Sequence, residues 1–110
     1  MDVVVRKSKI GQFSDGLGVF ANRDFKKGEV VVKYDLKLLT KKEFETLPEK
    51  EKQFTHVHWN QIYLYPSPAR YVNHSDNPNT IQNLKEGYDV ASRNIHKGEE
   101  ITTDSSKDDI

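Results

Sequence analysis

Apolar residues along this chain come in short runs rather than in long helical stripes. Val3-Val4-Val5 opens the series, Val30-Val31-Val32 and Ile62-Tyr63-Leu64-Tyr65 continue it, and Tyr71-Val72 follows. Runs of this length, bounded by Gly, Asn, Asp and Pro, read as β-strands. Strands are therefore expected in "DVVVRKS", in the two apolar stretches of "SDGLGVFANRDFKKGEVVVKYDL", and in "QIYLYP", "ARYV", "NTIQNL", "YDVASRNI" and "EEITT". Within the second of these segments, turns are expected at its Gly-containing start and at Lys26-Lys27-Gly28.

One segment breaks the pattern. In "LLTKKEFETLPEKEKQF", Thr40 and Glu43 have the spacing of a capping box, and Phe44, Leu47 and Phe54 fall at helical intervals. Pro48 ends that helix and can open a second helical turn. Its charges alternate in sign, the pattern of a solvated face. The expected architecture is mainly β with a short helical insert.

A weak internal echo runs through the chain. "NRDFKKGEVV" at 22–31 and "SRNIHKGEEI" at 92–101 share an Arg, an apolar residue and Lys-Gly-Glu at matching offsets. Gly28 and Gly98 each suit the positive φ of a tight turn. Both segments read as structural turns in two related hairpin-like units.

Composition narrows the class. At 110 residues the chain fits one domain, with residues 1–104 as the fold and 105–110 as a polar tail. Folding at this size buries roughly two-thirds of the unfolded surface, which leaves room for a groove but not for separate cofactor and substrate domains. Lys plus Arg and Asp plus Glu both number 17, so no global field draws in nucleic acid or an acidic membrane. Cys is absent, which removes disulfides, thiol nucleophiles and Cys-ligated zinc. The N-terminal valine run is far shorter than a signal peptide's apolar region or a membrane span. A soluble intracellular protein is implied, with no direct nucleic-acid or membrane partner.

Candidate chemistry gathers at "ARYVNHSDNPNT", residues 69–80. Asn77-Pro78-Asn79 has turn chemistry, and His74 and Ser75 can cap local backbone groups. Yet Asn73 and His74 precede the turn, where a strand end can present an amide and an imidazole to a polar ligand. "HVHW" at 56–59 would set His56 and His58 on one face of a strand. No third His or carboxylate completes a metal set, so these read as packing or surface histidines and no metal is expected.

"RYVNHSDNPNT" resembles the Arg-Phe-Ile-Asn-His-Ser-Cys-x-Pro-Asn signature of SET-domain protein-lysine methyltransferases. "GLGVFANRDFKKGE" resembles that family's Gly-x-Gly motif with its following Lys-Gly-Glu turn. "VASRNIHKGEEITTD" resembles its C-terminal segment. The three stand in the family's order, from about Lys7 to Asp104.

The resemblance implies a β-clip SET fold of several small sheets, with a C-terminal pseudoknot threaded beside Asn73–Asn79. It implies S-adenosylmethionine as cofactor. Gly16, Leu17 and Gly18 would line its methionine portion, Asn73 would bond its amino end, the His74 main chain would hold its adenine, and Tyr71 falls in the same binding set. It also implies a protein substrate with a lysine-containing tail.

The sequence departs from the family at the two C-terminal tyrosine places, which hold Thr103 and Ser105. A phenol from the central strands, Tyr63 or Tyr65 (or Tyr34), is the expected substitute. No Cys-rich module is expected to roof a lysine channel, so closure is expected from the tail, a second subunit in a homodimer, or the substrate. Glu99, Glu100, Asp104, Asp108 and Asp109 could offer a local acidic groove to a basic tail. Two alternatives stand beside methyl transfer: a catalytically silent SET domain that binds cofactor or a protein tail, and a β-clip module that captures a peptide on exposed strands.

Overall fold

The computed structural model describes residues 2–10 and 16–107. Ser14 and Asp15, the start of the expected Gly-containing turn, lie outside the described residues, as do Asp108 and Asp109. Among the described residues, ten short strands form three small sheets. The first joins β1 (Val3–Lys7), β2 (Leu17–Ala21), β10 (Glu100–Thr103) and β7 (Asn73–His74), in the order β1-β2-β10-β7. The second is β3 (Val30–Lys33), β9 (Tyr88–Ala91) and β8 (Thr80–Asn83). The third is β4 (Lys37–Leu39), β6 (Gln61–Leu64) and β5 (Thr55–His58).

The core lies between the first two sheets and the echo segments. Val19, Ala21, Phe25, Val31, Val32, Ala91, Ile95 and Ile101 are buried there, with Tyr34 and Tyr65 closing one end. Inward and outward positions alternate on β9, as a half-buried strand requires.

The helical insert follows its sequence signals. Thr40 caps α1 (Lys41–Thr46): its Oγ1 accepts from the Glu43 N–H, and the Glu43 carboxylate accepts from the Thr40 N–H. Pro48 then opens α2 (Glu49–Lys52). Neither helix buries a residue, whereas Phe54, just beyond them, is buried. "ARYV" is a correction: Ala69–Tyr71 form a 3₁₀ turn, not a strand. Pro66 and Pro68 lack ladder N–H groups, and their carbonyls accept instead from the Arg70 and Tyr71 N–H groups.

Arg70 pins this turn. Its Nε donates to the Tyr65 carbonyl at 2.8 Å, and its two terminal nitrogens donate to the Glu51 carboxylate at 3.0 Å each. Those hydrogen bonds hold the Glu51 carboxyl below the usual range and raise the Arg70 guanidinium, against the opposing effect of burial. A depressed carboxyl contributes stability that is present above its unfolded pKa and is lost as pH falls through the folded value. Glu51 is 36% exposed, so solvent screening limits Glu51→Gln to less than about 1 kcal/mol. Melting curves of the two proteins should differ at neutral pH and converge as pH falls below the ordinary glutamate value of 4.5.

The echo segments clasp each other. Phe25 and Ile95 exchange backbone hydrogen bonds at 2.8 and 2.9 Å. The Lys27 N–H donates to Asn94 Oδ1, and the Lys97 N–H donates to Asp24 Oδ1. Gly28 and Gly98, both at positive φ, donate to the carbonyls of Ala91 and Ala21. Each turn thus completes the hairpin unit of the other, a pairing beyond what the echo alone predicts.

Candidate cofactor and substrate site

The three motif segments are neighbours in one sheet. β10 lies between β2 and β7, antiparallel to the first and parallel to the second. Two side chains beyond β7 grip it. Asn79 Oδ1 accepts from the Thr102 N–H at 2.9 Å, Asn79 Nδ2 donates to the Glu100 carbonyl at 2.8 Å, and Thr80 Oγ1 donates to the Thr102 carbonyl at 2.7 Å. This is the pseudoknot, and Asn79 is its fastener.

Gly18 sits at the bottom of a polar cluster. A Cβ there would lie 2.5 Å from Glu100 Oε2, 2.8 Å from the Ser8 Cβ and 3.0 Å from Asn73 Nδ2. Those groups bond one another. Ser8 Oγ donates to Glu100 at 2.7 Å, and Asn73 Nδ2 donates to the Leu17 carbonyl and to Glu100 Oε2, both at 2.9 Å. The amide nitrogen of Asn73 therefore ties β7 to β2 and β10, and a bond to a ligand's amino group would be accepted by its Oδ1. Ser8 and Glu100 were not singled out for this site in the sequence; their roles depend on contacts 92 residues apart along the chain.

His74 is on the edge strand of its sheet, where backbone groups on the open side are not used by the ladder. Its ring lies toward solvent, with Nδ1 accepting from the Ser105 N–H at 3.0 Å and Nε2 bonded to Asp76 at 2.9 Å. Tyr71 packs edge-on against Phe54. Gly16 holds a φ of 76° with open space around it.

A small hollow of about 50 Å³ lies where β10 ends. Tyr34, Phe54, Tyr65, Asp89 and Thr103 form its buried walls, and His56, Arg70, Val72 and Gln82 its half-buried ones. The Tyr34 and Tyr65 rings are 5.6 Å apart. The Tyr34 hydroxyl donates to Asp89 Oδ1, and the Tyr65 hydroxyl is hydrogen-bonded to His58 Nε2 at 2.9 Å. Thr103, 4% exposed, has a buried hydroxyl with no hydrogen-bond partner.

Of the candidate tyrosines, the structure brings Tyr65 and Tyr34 to this hollow and sets Tyr63 elsewhere. Tyr63 donates to Gln61 and lines a larger, open hollow of about 420 Å³ with Trp59, Asp35 and Tyr88. Asp89 was missed in the sequence; its only signal is a carboxylate at an inward position of a strand. His56 and His58 stack at 6.2 Å, and no cluster of three metal-ligating side chains occurs among the described residues. Glu99 pairs with Arg93, whereas Glu100 is bonded by the neutral Ser8 and Asn73 side chains.

A sheet that threads its last strand beside an Asn-His pair, with a glycine bend on the other side, defines the SET class of β-fold, and the comparisons agree. The SET-domain family profile matches residues 16–104, and the chain belongs to that family. It is 31% identical over 121 residues to the variant-silencing SET domain-containing protein of Plasmodium falciparum, covering 92% of this chain and 5% of that protein. To human histone-lysine N-methyltransferase 2D it is 32% identical over 119 residues, covering 94% of this chain and 2% of that protein. The chain thus spans only a small part of these relatives' own length. Among solved structures, Chaetomium thermophilum Polycomb Repressive Complex 2, autoinhibited and bound to S-adenosylmethionine, superposes with a TM-score of 0.68 at 22% identity. That match covers 96% of this chain and 15% of the other, and speaks for the fold. No helix among the described residues is long and apolar enough to cross a membrane.

Proposed function

We propose that this chain transfers a methyl group from S-adenosylmethionine to a lysine of a protein substrate, a histone tail being the first to try. The observation that carries the reading is the adjacency of Gly18, Asn73 and β10 in one sheet, with an aromatic hollow where β10 ends. The cofactor would lie against Gly16, Leu17 and Gly18, with the Asn73 amide at its amino end and the edge of β7 at His74 beside its purine. The unpaired Thr103 hydroxyl suits a polar ligand at that end of the sheet. The cofactor supplies an electrophilic methyl on a sulfonium.

The chain's own work is on the lysine. A free lysine has a pKa of about 10.4, so deprotonating it at pH 7 costs on the order of 4–5 kcal/mol. An apolar, aromatic hollow lowers that cost by disfavouring the cation. Walls fixed by hydrogen bonds hold the nitrogen in line, and such alignment contributes up to roughly 7–11 kcal/mol in ideal cases. Tyr65 and Tyr34 stand in for the family's C-terminal tyrosines.

The test is transfer of labelled methyl from the cofactor to histone substrates. Asn73→Ala should weaken cofactor binding by about 1–3 kcal/mol. Tyr65→Phe should slow transfer roughly tenfold through one lost hydrogen bond, while Tyr63→Phe leaves it unchanged. The reverse ranking of the two tyrosines would dismiss the assignment. A second reading, a SET domain that binds cofactor without transfer, is favoured by Thr103 and Ser105 at the tyrosine places. Tight cofactor binding with no labelled product would select it.

A further inference from the structure

Asp89 stands inside the hollow at the end of β10, and neither the family match nor the reading above gives it a task. It occupies an inward position of β9 and is 2% exposed. Carboxylates this buried are rare unless they are paired or functional. We propose that Asp89 binds the ammonium of the incoming lysine and accepts its proton, and thereby favours transfer of a single methyl. This rests on the lysine-methylation reading, which it deepens.

Three features of the hollow suit a cation, two of them through its N–H groups. The Tyr34 hydroxyl fixes the carboxylate by donating to Oδ1, and a carboxylate accepts several hydrogen bonds, so it can hold the phenol and an ammonium together. Thr103 Oγ1, buried without a partner in the same wall, is a second acceptor. The rings of Tyr34 and Tyr65 line the space and suit a cation of any kind, while Phe54 already has the Arg70 guanidinium over its ring. Arg70 in the wall is paired with Glu51 through two hydrogen bonds.

Burial penalises both the ammonium and the carboxylate, which brings the neutral amine and acid close in energy to the ion pair. An N–H bond of the ammonium breaks, its electron pair stays on nitrogen as the attacking lone pair, and the proton passes to an Asp89 oxygen. Each methyl added replaces one N–H, so recognition through N–H groups weakens with every turnover.

The experiment needs no turnover. Butylammonium, a stand-in for the lysine side chain, and butyltrimethylammonium, which has no N–H, are titrated separately at millimolar concentration into isotope-labelled protein. The amide signals of Asp89 and Thr103 are followed by NMR. Butylammonium should shift them saturably and bind roughly tenfold or more tightly than its quaternary counterpart. Asp89→Asn, checked for fold by its spectrum, should remove that preference and leave S-adenosylmethionine affinity unchanged. If Asp89→Asn does not fold, Thr103→Val decides: weaker butylammonium binding with the preference retained supports the assignment, and unchanged binding overturns it. Equal response to both probes, no response to either, or a preference that survives in folded Asp89→Asn also overturns it. Failure of the unmodified protein to bind S-adenosylmethionine, with the amine preference intact, would instead strike the methyl-transfer reading alone.

Discussion

Asn79→Ala should destabilise the fold by about 2–5 kcal/mol, more than any surface substitution in the chain. Asn79 is 2% exposed, and its amide satisfies the Thr102 N–H and the Glu100 carbonyl on the threaded strand. Truncation leaves both groups buried without a partner, and such orphaned groups carry most of the penalty. For a domain of this size the melting temperature should fall by roughly 10–20 °C. Asn77, exposed and two positions away, is the control: its side chain grips nothing on β10, and Asn77→Ala should stay within about 0.5 kcal/mol of the parent. Equal melting temperatures for the two variants would show that β10 is held by something other than this amide.

Gly18→Ala should cost about 1–3 kcal/mol and abolish tight S-adenosylmethionine binding. The added carbon would meet Glu100 Oε2 at 2.5 Å and the Ser8 Cβ at 2.8 Å. A carboxylate end can swing away, but the Ser8 Cβ moves only with its backbone. The displacement would break the bonds among Ser8, Glu100 and Asn73 that orient the Asn73 amide. Gly16→Ala is the informative contrast. Space is open there, so its penalty comes from a φ of 76° and should be about 1–2 kcal/mol, a backbone effect rather than a collision. Calorimetric titration of the cofactor, beside thermal unfolding, separates the two glycines. Retained affinity in Gly18→Ala would remove this cluster from the binding surface.

Local chemistry was legible in the sequence wherever one element settles its own structure. The Thr40–Glu43 capping box, the Pro48 boundary and the glycines of the Lys-Gly-Glu turns all stand as their residues dictate. "ARYV" misled because its apolar content says strand, whereas Pro66 and Pro68 upstream supply the carbonyls for a tight turn. β4 went unrecognised: "KLL" is three residues long, with no alternation to read. The motif resemblance fixed which segments meet, but not the work of each side chain. Asn79 looked like a turn residue and proves to be the fastener of β10, 23 residues away. Asp89 and Thr103 acquire a shared wall only when β9 and β10 pack beside Tyr34 and Tyr65. Such roles belong to pairs of distant residues, and no single stretch of sequence encodes them.

The reciprocal grip of segments 22–31 and 92–101 has a bearing on how such a protein can change. The paired turns act as a buckle, closing the molecule without help from the intervening third sheet and the two short helices. That intervening region can lengthen, shorten or exchange its surface while the buckle stays shut. Divergence in what is recognised can then accumulate on its exposed face, so long as Glu51, Phe54 and Tyr65 keep their places at Arg70 and the hollow.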